Sequence, residues 1–233
     1  MTGQVMLTDI EGTTAPKRFV LEVLFPYARE RLREWVLAHA REPDVAGWIY
    51  EVSALSGASP WDIEACIHAL LDWMDADLKL APLKAIQGRI WSEGYESGEI
   101  TSVLYADVPA AFEAWRGWDA RVAVFSSGSV QAQRLLFRHS DAGDLEPGIC
   151  AWFDTRVGAK RDPASYEAIA LKLGVQPAAV MFLSDTIEEL DAAAAAGMRT
   201  VHVARDEEGL TSDRTIHPRV STLLDVEPGA RLL

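Results

Sequence analysis

Gln4 to Thr14 reads QVMLTDIEGTT, an unbroken apolar run that meets a carboxylate at Asp9 and then a Gly12-Thr13-Thr14 turn. A short apolar run bounded by a turn, with no alternation, suits a strand buried on both faces, as in a parallel sheet. The spacing predicts a strand over residues 4–10. From about residue 120 onward the pattern supplies its partners. Arg121 to Phe125 (RVAVF) reads as a strand, Ser126-Ser127-Gly128 as a turn, and Ser129 to Phe137 as a helix capped by serine. Trp152 to Asp154 is a short strand. Asp162 and Pro163 start a helix that Gly174 closes, with Asp as cap and Pro in the first turn. Ala179 to Leu183 is a strand, Thr186 to Ala196 a helix ended by Gly197, and Thr200 to Ala204 a further strand. Strands alternating with helices predict an α/β, doubly wound parallel-sheet core.

The middle of the chain reads differently. Residues 17–103 hold no convincing strand, and Leu21, Leu24, Ala28, Leu32, Trp35 and Val36 fall at helical spacing. Pro26 is expected to divide this segment into two helices. Ile63, Ile67, Leu70, Leu71 and Met74 form another stripe after Ser59-Pro60, and a further helix is expected over Leu83 to Tyr95. The expected organisation is a core of residues 1–16 and 104–233, with an all-helical block, 17–103, inserted after the first strand. That block is far longer than an ordinary connection. Ala192 to Ala196 reads as a close-packed helix face, and the tail after Gly209 has only weak periodicity.

Composition narrows the function. The 233 residues are 49% hydrophobic and 24% charged, an ordinary globular balance that excludes collagen-like and disordered chains. At this length folding buries roughly 70% of the unfolded surface, so no metal or disulfide staple is required. With 22 Lys and Arg against 35 Asp and Glu, the formal charge is −13. Such a chain repels polyphosphate and anionic lipid, so no nucleic-acid or membrane partner is expected. Cys66 and Cys150 sit in no metal-ligand pair, and both are expected to be reduced and buried. With no signal-peptide core and no apolar run near the roughly 18 residues of a membrane span, a cytoplasmic protein is expected, and a monomer.

Ligands of parallel sheets bind beyond the carboxyl ends of the strands. Four predicted strand ends carry polar groups there: Asp9 with Glu11, Ser126 with Ser127, the loop leading to Lys160, and Ser184 with Asp185. Each alone has a plain alternative: a turn aspartate, a capping serine, a solvated lysine, an N-capping aspartate. Together they match the needs of phosphoryl transfer through an aspartyl-phosphate. Asp9 would be the ionised nucleophile, and Glu11 the acid that protonates the leaving oxygen and later activates water. Asp9 and Asp185 offer hard oxygen ligands for Mg²⁺, while Ser126 and Lys160 would clamp the anion. The five histidines show no mutual ligand spacing. Trp35, Trp73 and Trp115 lie on apolar stripes, and Trp91 and Tyr95 suit either core packing or a pocket wall.

DIEGT at Asp9–Thr13, the strand ending in Ser126, Lys160, and LSDTIEE at Leu183–Glu189 resemble the four motifs of the haloacid dehalogenase superfamily. Within it the chain resembles the enolase-phosphatases (acireductone synthases) of methionine salvage, which read Asp-x-Glu where most relatives read Asp-x-Asp. The likeness extends to VLFPYAR (Val23–Arg29), LKAIQGRIWSEGYESGEI (Leu83–Ile100), ADVPAAFEAW (Ala106–Trp115), FSSGSVQAQRLLF (Phe125–Phe137) and WFDTRVGAKRDPASY (Trp152–Tyr166). It departs at Lys17-Arg18, where that family usually has an uncharged pair.

The resemblance implies a Rossmann-like core with a helical cap that closes over the site. It also implies Mg²⁺ bound by Asp9 and Asp185 with Glu11 contributing its backbone carbonyl, and a phosphorylated substrate held by Ser126, Ser127 and Lys160. Glu189 would hold a metal water or Lys160, with Glu188 facing away. The implied reaction converts 2,3-diketo-5-methylthiopentyl 1-phosphate, by enolisation and then dephosphorylation, to an acireductone and phosphate. A general sugar-phosphate or phosphoglycolate phosphatase, and a non-catalytic phospho-ligand module, are the competing readings. Glu11 and the long matches in the helical block weigh against the first, and the complete set of catalytic positions against the second.

Overall fold

β1 (Val5–Thr8) lies in the interior of a six-stranded, wholly parallel sheet of order β3-β2-β1-β4-β5-β6. Its neighbours are β2 (Arg121–Phe125) and β4 (Val180–Ser184), with β3 (Ile149–Phe153) beyond the first, and β5 (Arg199–Val203) and β6 (Arg219–Val220) beyond the second. The computed structural model describes residues 3–205 and 216–228. All of β1 and β4 is buried, as an unalternating apolar run requires. Order reverses between β1 and β4, the switch point at which doubly wound sheets open a crevice.

Two compact units emerge, one of Met1–Lys17 with Ser102–Leu233 and the other of Arg18–Thr101. In the first, α8 (Pro163–Leu173) and α9 (Ile187–Ala195) pack Tyr166, Ile169, Leu190 and Ala193 onto Val5, Leu7, Phe125 and Phe182. Ala192, Ala193 and Ala196 are buried in this face, where small side chains let the helix lie close, whereas Ala195 is exposed, so only part of the alanine run is a packed face. On the opposite side α6 (Val108–Gly117) and α7 (Val130–Arg138) share an aromatic seam. Phe137 sits 5.6 Å from Trp152 and 6.0 Å from Phe112. The predicted caps Ser129 and Asp162 accept from Ala132 and Ala164, and Gly174 and Gly197 take the left-handed backbone that ends a helix.

The second unit is all-helical: α1 (Lys17–Phe19, beginning one residue before it), a π-helical turn (Val20–Leu24), α2 (Phe25–His39), α3 (Pro43–Ser56), α4 (Ile63–Asp75) and α5 (Ala81–Glu96). Leu32, Val36, Val52, Ile67, Leu70, Ile86 and Ile90 are buried there.

Several expectations are corrected. Pro26 does not split its segment, because the helix widens just ahead of it. The Phe25 N–H bonds to the Val20 carbonyl five residues back, so the chain stays helical while accommodating the ring. One extra residue in a turn swings the face by about 100°, which leaves Leu21 65% exposed while Leu24, Ala28, Leu32, Trp35 and Val36 stay buried. The stripe of α4 is capped by Asp62, not by Ser59-Pro60. Cys150 is exposed, unlike Cys66. It is the unpaired residue of a bulge on edge strand β3, where Val122 faces Ile149 and Ala123 already faces Ala151. Trp73 is half-buried, whereas Trp91 is buried and donates its indole N–H to the Leu24 carbonyl at 2.8 Å, beside a buried Tyr95. Part of the tail after Gly209 lies outside the described residues. The rest supplies β6 and a 3₁₀ turn at Leu223–Asp225.

Candidate active site

The loop that leaves β1 is wound tightly on itself. The Ile10 carbonyl accepts the N–H groups of Thr13, Thr14 and Ala15 at 3.1, 2.9 and 2.9 Å, and Gly12 N–H reaches the Ala15 carbonyl at 2.8 Å. This winding holds Gly12 at φ +78°, where a Cβ would also overlap Asp185 Oδ2 and Lys17 Cε. Asp9, 3% exposed, is thereby fixed at the strand end, its Oδ1 accepting the Ile10 N–H at 2.7 Å.

Lys160 arrives from the loop between β3 and α8. That loop is braced from below: the Tyr166 hydroxyl donates to the Lys160 carbonyl at 2.6 Å and Ser165 to the Ala159 carbonyl at 2.7 Å. Tyr166 itself packs 5.6 Å from Phe125 and 5.1 Å from Phe182, so the lysine loop is tied to the core. Its ammonium lies 2.7 Å from Asp9 Oδ1 and 2.7 Å from Glu189 Oε2, with only 9% of the side chain exposed. Burial opposes its charge, but the fields and hydrogen bonds of Asp9 and Glu189 outweigh that and raise its pKa. Glu189 is pushed up to about 7, chiefly by burial and then by Asp9, against the pull of Lys160. Ser184 donates to Glu189 Oε2 at 3.1 Å and lies 3.4 Å from Asp9 Oδ2. Asp9 Oδ2 is thus the more lightly held of the two nucleophile-candidate oxygens. Glu188 is exposed.

Glu11 turns toward β2. Its Oε2 lies 3.4 Å from the Ser126 hydroxyl, which in turn accepts the Gly128 N–H at 3.1 Å. Ser127 occupies the same turn. Gln133, 1% exposed, reaches back from α7 to the Gly128 and Phe153 carbonyls at 2.8 and 2.9 Å and holds that turn in place. Asp185 completes the set at the end of β4. Its N–H donates to Thr13 Oγ1 at 3.1 Å, its Oδ1 accepts from Thr186 Oγ1 at 3.1 Å, and its Oδ2 is paired with Lys17.

Thr13, Gln133 and Arg205 escaped sequence reading. Arg205 grips the Thr13 carbonyl with two nitrogens at 2.9 and 2.7 Å and pairs with Asp107 at 2.7 Å, its side chain 6% exposed. Burial opposes the Asp107 charge, but Arg205, the Leu223 N–H and Thr222 hold its carboxyl below the usual range. A polar residue at the end of β5 was the one available signal. Its partners, 192 and 98 positions away, gave none.

A family model for haloacid dehalogenase-like hydrolases matches residues 4–197. Enolase-phosphatase E1 of Pseudomonas aeruginosa is 45% identical over 97% of this chain and 99% of its own length. The chain belongs to the enolase-phosphatase E1 family of haloacid dehalogenase-like hydrolases. Enolase-phosphatase E1 of Acidiphilium cryptum is 50% identical, covering 88% of this chain and 87% of its own. Among solved structures, the UTR4 protein of Saccharomyces cerevisiae superposes with a TM-score of 0.80 at 32% identity, over 94% of this chain and 98% of that one. CbbY of Rhodobacter sphaeroides, at 18% identity and a TM-score of 0.57, shares the fold. Membership of this family makes the chain a phosphatase with enolase activity acting on a phosphorylated small molecule, and sets aside the general-phosphatase and non-catalytic readings.

Proposed function

We propose that this enolase-phosphatase converts 2,3-diketo-5-methylthiopentyl 1-phosphate to an acireductone and phosphate, with Asp9 as nucleophile, Glu11 as acid and base, and Ser126, Ser127 and Lys160 as the substrate clamp. The observation that carries the reading is the buried Asp9, held by Lys160 at the end of β1, with Glu11 turned to Ser126 across the same strand ends. After enolisation, an Asp9 oxygen attacks phosphorus and the bond to the enol oxygen breaks, while Glu11 delivers a proton to that oxygen. Glu11, now a carboxylate, takes a proton from water. That water attacks the aspartyl-phosphate, releasing phosphate and regenerating Asp9. Lys160, 2.7 Å from Asp9, holds that carboxyl group in place and offsets phosphate charge in a protein of net −13. Glu189 and Ser184 hold Lys160 and Asp9 in register.

The donor set suits Mg²⁺, and we assign Asp9, Asp185 and the Glu11 carbonyl to it. Three features support the fit. Gly12 leaves free the space a Cβ would take from Asp185, Asp185 Oδ2 already attracts the Lys17 ammonium, and that ammonium also feels the field of Asp9. Among the described residues no three His, Cys, Asp or Glu side chains gather as a metal cluster. Mg²⁺ asks for no such cluster, since it binds one or two carboxylates and keeps several waters. When bound it would neutralise the repulsion between Asp9 and phosphate. In this reading residues 17–103 serve as the cap, and the enzyme works as a cytoplasmic monomer.

The test is incubation with the diketo phosphate and Mg²⁺, following phosphate release and acireductone absorbance together. Both signals should rise, and Asp9→Asn should abolish phosphate release in a folded protein. Near-normal turnover by that variant would sink the covalent mechanism.

A further inference from the structure

Lys17, the first residue of α1, does not project idly into solvent. Its ammonium is paired with Asp185 Oδ2, and 61% of its side chain is exposed. The remaining Asp185 oxygen, Oδ1, is already taken by Thr186 Oγ1 at 3.1 Å. Gly12 is what lets the lysine in: a Cβ there would fall 2.8 Å from Lys17 Cε. Asp9 has its own fixed cation in Lys160, whose side chain is 9% exposed. Two lysines therefore neutralise the two carboxylates assigned to Mg²⁺, one buried and bound from both sides, the other on a largely exposed stem.

We infer that Lys17 is a built-in exchangeable counter-ion: it holds Asp185 when no divalent cation is present and must leave that carboxylate for one to bind. Lys160 cannot play this part, because it is pinned between Asp9 and Glu189 at 2.7 Å each. Lys17 can: among the described residues its one ion pair is to Asp185, and most of its side chain is exposed. Asp185 then never faces Asp9 without a cation between loading events, and each loading event works against that ion pair. The inference rests on the assignment of Asp185 to Mg²⁺.

Calorimetric titration of Mg²⁺ into the metal-free wild-type chain and into Lys17→Met and Lys17→Gln tests it, with no substrate present. Half-exposed pairs are worth little, so the expected change is modest, about two- to fivefold tighter Mg²⁺ binding in both variants. Lys17→Arg should stay close to wild type, because it keeps the charge. Melting temperature gives a second readout. Lys17→Met should melt lower than wild type without metal, and Mg²⁺ should raise its melting temperature by more than it raises that of the wild type. Equal or weaker Mg²⁺ binding by the folded Met and Gln variants would overturn the exchange alone. No binding heat from any of the proteins would overturn the metal assignment and the exchange with it.

Discussion

Enolisation draws a proton from the carbon that bears the phosphate ester, and Glu11 is the acid aimed across the strand ends where that ester must lie. No histidine is assigned to the site, so one carboxyl group is available for both steps. Shortening it by one methylene in Glu11→Asp should slow solvent deuterium uptake at that carbon by about tenfold or more, the scale of a displaced general base. Hydrolysis of simple phosphate esters should be partly retained, since a shorter carboxyl group can still protonate a leaving oxygen, directly or through one water. Deuterium exchange and phosphate release measured separately decide the matter. Equal loss of both would leave the base unassigned. Arg205 is a positioning residue whose grip on the Thr13 carbonyl reaches Asp185 through the Thr13 hydroxyl. Arg205→Lys keeps the charge beside Asp107 but cannot form the two-nitrogen fork. It should lower kcat by about tenfold and weaken Mg²⁺ binding, with KM nearly unchanged and the melting temperature a few degrees lower because buried hydrogen bonds are lost. An unaltered kcat would reduce Arg205 to a structural tie. The strand-end residues were legible because a buried strand must end where ligands bind, and an acid or hydroxyl there is conspicuous. Arg205, Thr13 and the Lys17–Asp185 pair were not, because each acts through a partner more than 160 positions away that carries no local pattern.

Elements were legible where local chemistry decides them. Ser129 and Asp162 cap their helices, and every predicted strand of the core is present within a residue or a few of its expected ends. Reading failed where register depends on neighbours. The π-turn before Pro26 moves Leu21 off the buried face, the bulge in β3 turns Cys150 outward, and α3 has no strong stripe to announce it. Another contact of this kind ties α7 to the turn before β3. Glu146 Oε1 and Oε2 accept from Arg134 and Arg138 Nε at 2.6 and 2.5 Å, its side chain 8% exposed. Burial opposes the carboxylate, yet the two arginines win and hold its pKa below the ordinary 4.5. A depressed carboxylate contributes stability above its unfolded value and loses it as pH falls through the folded value. Glu146→Gln should cost about 1–2 kcal/mol at pH 7, modest because both arginines are half exposed. The gap in melting temperature between wild type and variant should narrow from pH 5 toward pH 3. A gap of constant size across that range would show that the charge of Glu146 contributes nothing.

At the scale of the whole molecule, the charge read from composition sets a long-range field that the local cations do not cancel. Thirteen excess negative charges, taken at a mean distance of ~20 Å in water, oppose an approaching unit anion by ~2.7 kcal/mol before screening. Salt reduces this, because the Debye length shrinks from about 30 Å at 0.01 M to about 8 Å at 0.15 M. Lys160 is buried and already committed to two carboxylates, and Lys17 to a third, so neither projects a field far into solvent. The distant repulsion therefore governs encounter, and the local clamp acts only after it. Raising ionic strength from about 0.01 to 0.15 M at constant free Mg²⁺ should increase kcat/KM for the phosphorylated substrate by roughly three- to tenfold. The change should sit in KM, with kcat level, since the chemistry takes place inside the Debye length at either salt concentration. Steady-state kinetics across that range supply the test. A kcat/KM that falls with salt would mean that the positive charge around Asp9 and Asp185 reaches beyond the acidic surface and captures the substrate itself.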